Sequence, residues 1–219
     1  MFVARRMHRK VVTASPNESL AAARERMRST NHRQLPVVEP DGTLAGILSE
    51  RDIREAIVPF RLLPGASTEE TERRLAETPV GRVMTRKVVT ATLTDALEDA
   101  IVLLHDFRIN ALPVVDGRGR LAGILTRQDV LQACIEAMGV GEISSRLEVL
   151  VPDKPGALAE VVAIIKTFHV NIITVLTTGH AAEGMRAVYF RVNTLNVAPI
   201  RKAIAEAGYR ILDPGSFLP

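Results

Sequence analysis

The chain has 219 residues, 47% of them hydrophobic and 24% charged, which is ordinary for a globular protein and allows one large domain or two to three small ones. Its 28 basic and 25 acidic residues leave a formal charge of only +3, so the sequence pI of about 9.3 does not mark a polyanion binder. One cysteine, Cys134, excludes an intramolecular disulfide, and no apolar run approaches the roughly 18 residues needed to span a membrane.

Met1 to Lys10 gathers Arg5, Arg6, Arg9 and Lys10 with His8, which reads as a solvated strand flank. No apolar stretch follows it, so no secretory signal is visible and a cytoplasmic location is expected. Val11 to Thr13 is β-branched and predicts a short strand that Pro16 ends. Ser19 or Asn17 can cap the next helix, whose face is Leu20, Ala23 and Met27. Gln34 to Val38 and Leu44 to Leu48 predict a hairpin around Pro40-Asp41-Gly42. Ser49 then caps a helix with Asp52 in its first turn and Ile53, Ala56 and Ile57 on its apolar side.

Pro59 to Thr68 reads as a connection, and Glu69 to Glu77 as a short solvated helix capped by Thr68 or Ser67. The chain then starts again. Leu112 to Asp129 repeats Leu35 to Asp52 without a gap at an offset of 77 residues, and the register runs back to Val80 and Val3. Two copies of one β-α-β-β-α unit are expected, each hiding an apolar face against the other. In the second copy Val88 to Thr90 is the opening strand, and Leu97, Ala100, Ile101 and Leu104 form the helix stripe, with a start between Thr94 and Leu97. Thr126 takes the place of Ser49, and Cys134 lies in the apolar run Val130 to Ile135, where a buried helix position is expected.

Two LPVV strands in register, each ending in Gly-apolar-x-Ser/Thr-x-x-Asp, resemble tandem cystathionine-β-synthase-type (CBS) domains over residues 3 to 137. The resemblance implies a disc-shaped Bateman module that dimerises and takes adenosine-containing ligands in clefts between the units. AMP, ADP, ATP and S-adenosylmethionine remain open. Its ligand contacts carry over to Ser49 with Asp52 and to Thr126 with Asp129. A hydroxyl with helix-terminal amides suits phosphate, and a carboxylate suits the two ribose hydroxyls. The cleft lining carries over to Arg33 and Gln34 in one copy and Asn110 and Ala111 in the other, and base contacts to Val12, Thr13, Val89 and Thr90. The clefts are unequal, because Arg33 is a cation where Asn110 is neutral. The plainer account of Ser49 and Thr126 is that they only cap helices.

After Gly139 to Gly141, the alternation of Leu147, Val149 and Val151 predicts a strand, and Leu158, Val161, Val162, Ile165 and Phe168 an apolar helix face. Asn171 to Thr178 and Ala187 to Val192 read as strands around a turn at Gly179 to Gly184; a helix with Val197, Ile200 and Ile204 and a last strand from Tyr209 to Leu212 follow. The order is β-α-β-β-α-β, so the whole chain is α+β with a ferredoxin-like last domain. Asp153-Lys-Pro-Gly-Ala-Leu158 resembles the first loop of ACT domains, which implies amino-acid binding by Asp153, Gly156, Ala157 and Leu158 with Asn171 and Ile172. The expected divisions are 1–60 and 80–138 for the CBS domains, 61–79 for the linker and 144–215 for the ACT-like domain. The chain as a whole is similar to bacterial CBS–ACT proteins, including those of acetoin-utilisation type.

Five scattered histidines and one cysteine form no metal-ligand series, and no nucleophile elbow, phosphate loop or dinucleotide fingerprint occurs. The expected function is therefore a non-catalytic, homo-oligomeric regulator, probing adenine nucleotides and, through the ACT domain, amino acids, with a metabolic enzyme as partner. The competing classes are an assembly module without ligand, a DNA-associated regulator, and an enzyme at the CBS–ACT junction.

Overall fold

The structure is a computed structural model that describes residues 1–61, 67–182 and 184–213. Chain contacts divide it into two compact units, Met1–Leu131 and Gln132–Pro219. The first copy of the repeat supplies α1 (Leu20–Thr30), β1 (Gln34–Val38), β2 (Leu44–Ser49) and α2 (Glu50–Arg61). Helix α3 (Thr68–Glu77) leads to the second, with β3 (Ala91–Thr92), α4 (Leu97–Asp106), β4 (Ala111–Val115), β5 (Leu121–Thr126) and α5 (Arg127–Ala137). Both hairpins keep one register: Leu35 faces Leu48 and Pro36 faces Ile47, as Leu112 faces Leu125 and Pro113 faces Ile124.

The helices lie where apolar spacing placed them, with Leu20, Ala23 and Met27 buried on α1 and Leu97, Ala100 and Leu104 on α4. Several local expectations change. Val11 to Thr13 and Val88 to Thr90 form no strand. The first copy pairs only at Ala14, with Val37, and the second at Ala91 and Thr92. Arg26 Nη1 takes the Thr13 carbonyl at 2.7 Å, so that carbonyl serves a side chain instead of a ladder. Helix α2 runs on through Pro59 to Arg61, into the expected connection. Helix α3 is not merely solvated: Leu75 is buried in the core of the first copy beside Leu20 and Met27. On α5 the buried position is Ala133, and Cys134 is only half-buried. Residues 62–66 of the expected linker, position 183 of the expected turn and residues 214–215 of the expected last domain lie outside the described residues.

The copies are joined by exchange. Thr85, which opens the second copy, trades two backbone hydrogen bonds of 2.9 Å with Ile47 on β2 of the first. His8, its equivalent, trades bonds of 2.9 and 3.0 Å with Ile124 on β5 of the second. The same crossing serves the helix starts: Leu97 N donates to Met1 O and Leu20 N to Thr78 O, at 2.7 and 2.9 Å. Ala96 makes no side-chain cap bond, so at α4 the bond from Leu97 N to the Met1 carbonyl stands in for one. Val80 and Met84 are buried in the core of the first copy, well away in sequence from the rest of it.

Glycine is required where these segments cross. A Cβ on Gly46 would lie 2.7 Å from Met84 Sδ and 2.8 Å from the Thr85 carbonyl. On Gly123 it would lie 2.6 Å from Met7 Sδ and 2.8 Å from the His8 carbonyl. Each hairpin then ends in a locked helix start. Ser49 Oγ donates to Asp52 Oδ2 (2.7 Å) and accepts from Asp52 N (3.2 Å), while Ser49 N donates to the same carboxylate oxygen at 2.7 Å. Thr126 and Asp129 repeat this with distances of 2.6, 3.3 and 2.8 Å.

The second unit contains β6 (Ser145–Pro152), α6 (Ala157–Lys166), β7 (Ile172–Ala182), β8 (Met185–Val192), α7 (Ala198–Glu206) and β9 (Arg210–Ile211). Its antiparallel sheet has the order β7-β8-β6-β9, the expected β-α-β-β-α-β arrangement. Leu147, Val149 and Val151 alternate inward and pack with Val161, Ile165, Ile200 and Ile204 from the helices.

Gly46→Ala is expected to lower stability by about 1–3 kcal/mol through overpacking against Met84 and Thr85. Gly117→Ala, with nothing within 4 Å of the added carbon, should change it by less than about 0.5 kcal/mol. Urea denaturation midpoints compare the two. By the same measurement Ser49→Ala should cost about 1 kcal/mol as a lost cap, and Ser49→Thr, which copies the second copy, should restore most of it.

Candidate functional site

The crossing that joins the copies also opens a cavity of about 300 Å³ between them. Its first-copy side is Gln34 at the start of β1, Ile47 and Ser49 on β2, and Asp52 in the first turn of α2. The second copy contributes Thr85, Lys87, Val88 and Val89 from its opening segment, then Phe107, Ile109 and Ala111 at the end of α4 and start of β4. The walls are mostly aliphatic and aromatic. The polar groups are few and concentrated.

Each polar group has a distinct state. Asp52 spends Oδ2 on the Ser49 amide and hydroxyl, and Oδ1 accepts no hydrogen bond among the described residues. Gln34 Oε1 is buried and likewise has no partner there. Lys87 is exposed at the opening. The start of α2 offers less than its position suggests: Glu50 N is taken by the Arg33 carbonyl at 3.0 Å and Asp52 N by Ser49 Oγ. A buried, unpartnered acceptor at Gln34 and a half-buried carboxylate at Asp52, beside apolar walls, are what a flat, hydrogen-bonding ligand satisfies.

The expected residues separate accordingly. Gln34, Ser49, Asp52, Val89 and Ala111 line one shared cavity, although they were assigned to two clefts. Arg33 and Asn110 are exposed, do not line it, and use their carbonyls to accept the first amides of α2 and α5, each at 3.0 Å. Val12 packs on the core of the first copy, Thr13 is held by Arg26, and Thr90 is half-buried beyond the cavity lining. Thr126 and Asp129 keep the geometry of their counterparts, but Asp129 Oδ1 is engaged by His8 Nε2 at 2.7 Å. At the equivalent positions His8 and Thr85 the copies therefore differ in side-chain contact: His8 reaches Asp129, and no bond joins Thr85 to Asp52. Sequence reasoning missed Ile47, Thr85, Lys87, Phe107 and Ile109. In the repeat register Phe107 and Ile109 stand opposite Thr30 and His32, an apolar excess in the second copy that was there to be seen.

The second unit has its own cavity, of about 330 Å³, lined by Met138, Arg146, Thr174, Leu176, Tyr189 and Arg191 among others. The Arg146 guanidinium lies 4.7 Å from the Tyr189 ring centre, and the Glu148 carboxylate beside Tyr189 pushes its hydroxyl above the ordinary phenol range. None of the expected amino-acid contacts lines it. Asp153 is paired with Arg186 Nε and Nη2 at 3.2 and 3.0 Å. Gly156 caps α6 at φ 91°, Ala157 is buried, and Leu158 is exposed. Asn171 N donates to Asn193 Oδ1 at 2.7 Å, and Ile172 packs on the core. Among the described residues no cluster of three or more His, Cys, Asp and Glu is placed to hold a metal, and no helix is long and apolar enough to cross a membrane.

Comparison with known proteins agrees with this architecture. The CBS domain model matches residues 3–59 and 80–136, and the TTHA0829-like ACT domain model matches 144–214. A CBS domain-containing protein of Dictyostelium discoideum is 31% identical over 139 residues, which are 63% of this chain and 94% of that protein. Some other relatives are much longer, and this chain spans 19% of an inosine-5'-monophosphate dehydrogenase of Rhodopirellula baltica, at 33% identity over 120 residues. Among solved structures, CBSX2 in complex with AMP superposes with a TM-score of 0.52 at 29% identity, covering 62% of this chain and 96% of the other. A Vibrio cholerae protein ascribed to acetoin utilization (AcuB) gives 0.53 at 26%, covering 64% and 94%. The repeat, the exchanged segments and these matches lead to one conclusion: the chain belongs to the CBS domain family, as a tandem CBS pair followed by a TTHA0829-like ACT domain.

Proposed function

We propose that this protein is a non-catalytic metabolic regulator that senses an adenine nucleotide in the cleft between its CBS copies. The observation that carries the reading is the pairing of two acceptors without a hydrogen-bond partner among the described residues, Asp52 Oδ1 and the buried Gln34 Oε1, with apolar walls from Val88, Val89 and Ile109 in one cavity. A purine fits between aliphatic walls and can satisfy Gln34, ribose hydroxyls can donate to Asp52, and Lys87 can meet phosphate at the opening. The AMP complex of CBSX2 supports the same class of ligand.

The lining comes from both copies, so a ligand there holds them together. Binding to the folded pair alone stabilises it by mass action, and occupancy becomes a change in the rigidity of the module. For the ACT domain, amino-acid sensing rests on Gly156, whose side is open, while Asp153 is engaged by Arg186. Self-association as a homodimer belongs to the same reading. Regulation of a partner enzyme follows from the same reading.

Calorimetry on ligand-stripped protein with AMP, ADP, ATP and S-adenosylmethionine tests the proposal; absence of heat with all four would sink it. Asp52→Asn is expected to weaken AMP roughly tenfold to a hundredfold, the worth of a hydrogen bond to a charged acceptor. Lys87→Met should weaken AMP several-fold and leave adenosine nearly unchanged, because only the phosphate meets that cation.

A further inference from the structure

We infer that His8 directs the nucleotide to a single cleft by holding the carboxylate of the other. The inference rests on the adenine-nucleotide reading above and adds a stoichiometry and a selecting residue to it. Positions 8 and 85 are equivalent in the repeat and sit on equivalent backbone, each bridged to the isoleucine two residues before the Ser/Thr of the Ser/Thr-x-x-Asp turn. Only the side chains differ. Thr85 makes no bond to Asp52, whose Oδ1 stays open; His8 places Nε2 2.7 Å from Asp129 Oδ1.

That contact is sheltered on one side. Asp129 has 14% of its side chain exposed and His8 has 64%, so the imidazole lies over the carboxylate from the solvent side. Asp129 Oδ2 is already committed to Thr126, so both oxygens of this carboxylate are occupied. A ribose arriving there has to compete with the histidine for Oδ1. The wall residues reinforce the difference. Phe107 and Ile109 line the first cleft, whereas their equivalents are the polar Thr30 and His32. The second site therefore has a carboxylate already engaged by His8 and lacks the apolar side chains that Phe107 and Ile109 bring to the first.

The test is AMP binding by calorimetry, with hydrogen exchange to locate the ligand. The native chain should bind one AMP, with protection in residues 47–55 and none in 124–132. His8→Thr, which copies the open cleft, should bind a second, weaker AMP and extend protection to 124–132. Thr85→His, which copies the closed one, should weaken the first site at least tenfold. Circular dichroism checks that both variants fold. Two AMP bound by the native chain, one AMP located at 124–132, or an unchanged stoichiometry in His8→Thr would each overturn the inference and leave nucleotide sensing standing. A ligand-free measurement covers the remaining case. Asp129→Asn should shift the His8 ring resonances in the NMR spectrum and Asp52→Asn should not; no shift from Asp129→Asn overturns the contact itself. Failure of every nucleotide to bind with that shift present would instead count against the sensing reading.

Discussion

Everything in the CBS pair depends on the exchange of opening segments between the two copies. Each copy has a hairpin too small to close its own core. Thr85 completes the edge of the first hairpin and His8 that of the second, each through a pair of backbone hydrogen bonds. Met84 and Val80 follow Thr85 into the core of the first copy. The backbones can approach only because Gly46 and Gly123 carry no Cβ. Remove that clearance and the crossing strands separate; the core and the cleft then fail together.

The same exchange creates the site. Because the opening segment of one copy lies across the hairpin of the other, Lys87, Val88 and Val89 face Ser49 and Asp52 in one cavity. A ligand in it touches residues more than 30 positions apart in the chain. That is the physical basis for reading the module as a sensor: its contents bear on the contact that holds the pair together. Near-identical backbones then carry different side chains at equivalent points. The copies differ at those few points, chiefly Thr85 against His8 and Phe107 against Thr30.

Much of the site was legible before any coordinates. Ser49 and Asp52 belong to a motif repeated in register, and motifs of local geometry survive folding because their hydrogen bonds span only three residues; Gln34 comes from the resemblance to CBS domains alone. Val11 to Thr13 and Val88 to Thr90 show the limit. Their β-branching was read as ladder pairing, yet Val88 and Val89 serve as a cleft wall. Propensity records that a residue suits an extended backbone and not what that backbone faces. Leu75 is the converse: one leucine on an otherwise polar helix was too little periodicity to reveal a core contact.

Sequence alone determined the duplication, the β-α-β-β-α units, the split-βαβ domain after them and the two capped helix starts. Each of these is set by periodicity or by bonds between near neighbours. Only the tertiary structure decided which copy each segment serves, that five residues assigned to two clefts line one, and that Asp52 is open while Asp129 is held by His8. Those outcomes come from contacts across some 40 to 120 residues, where no local pattern records the partner and only closure of the whole core selects it.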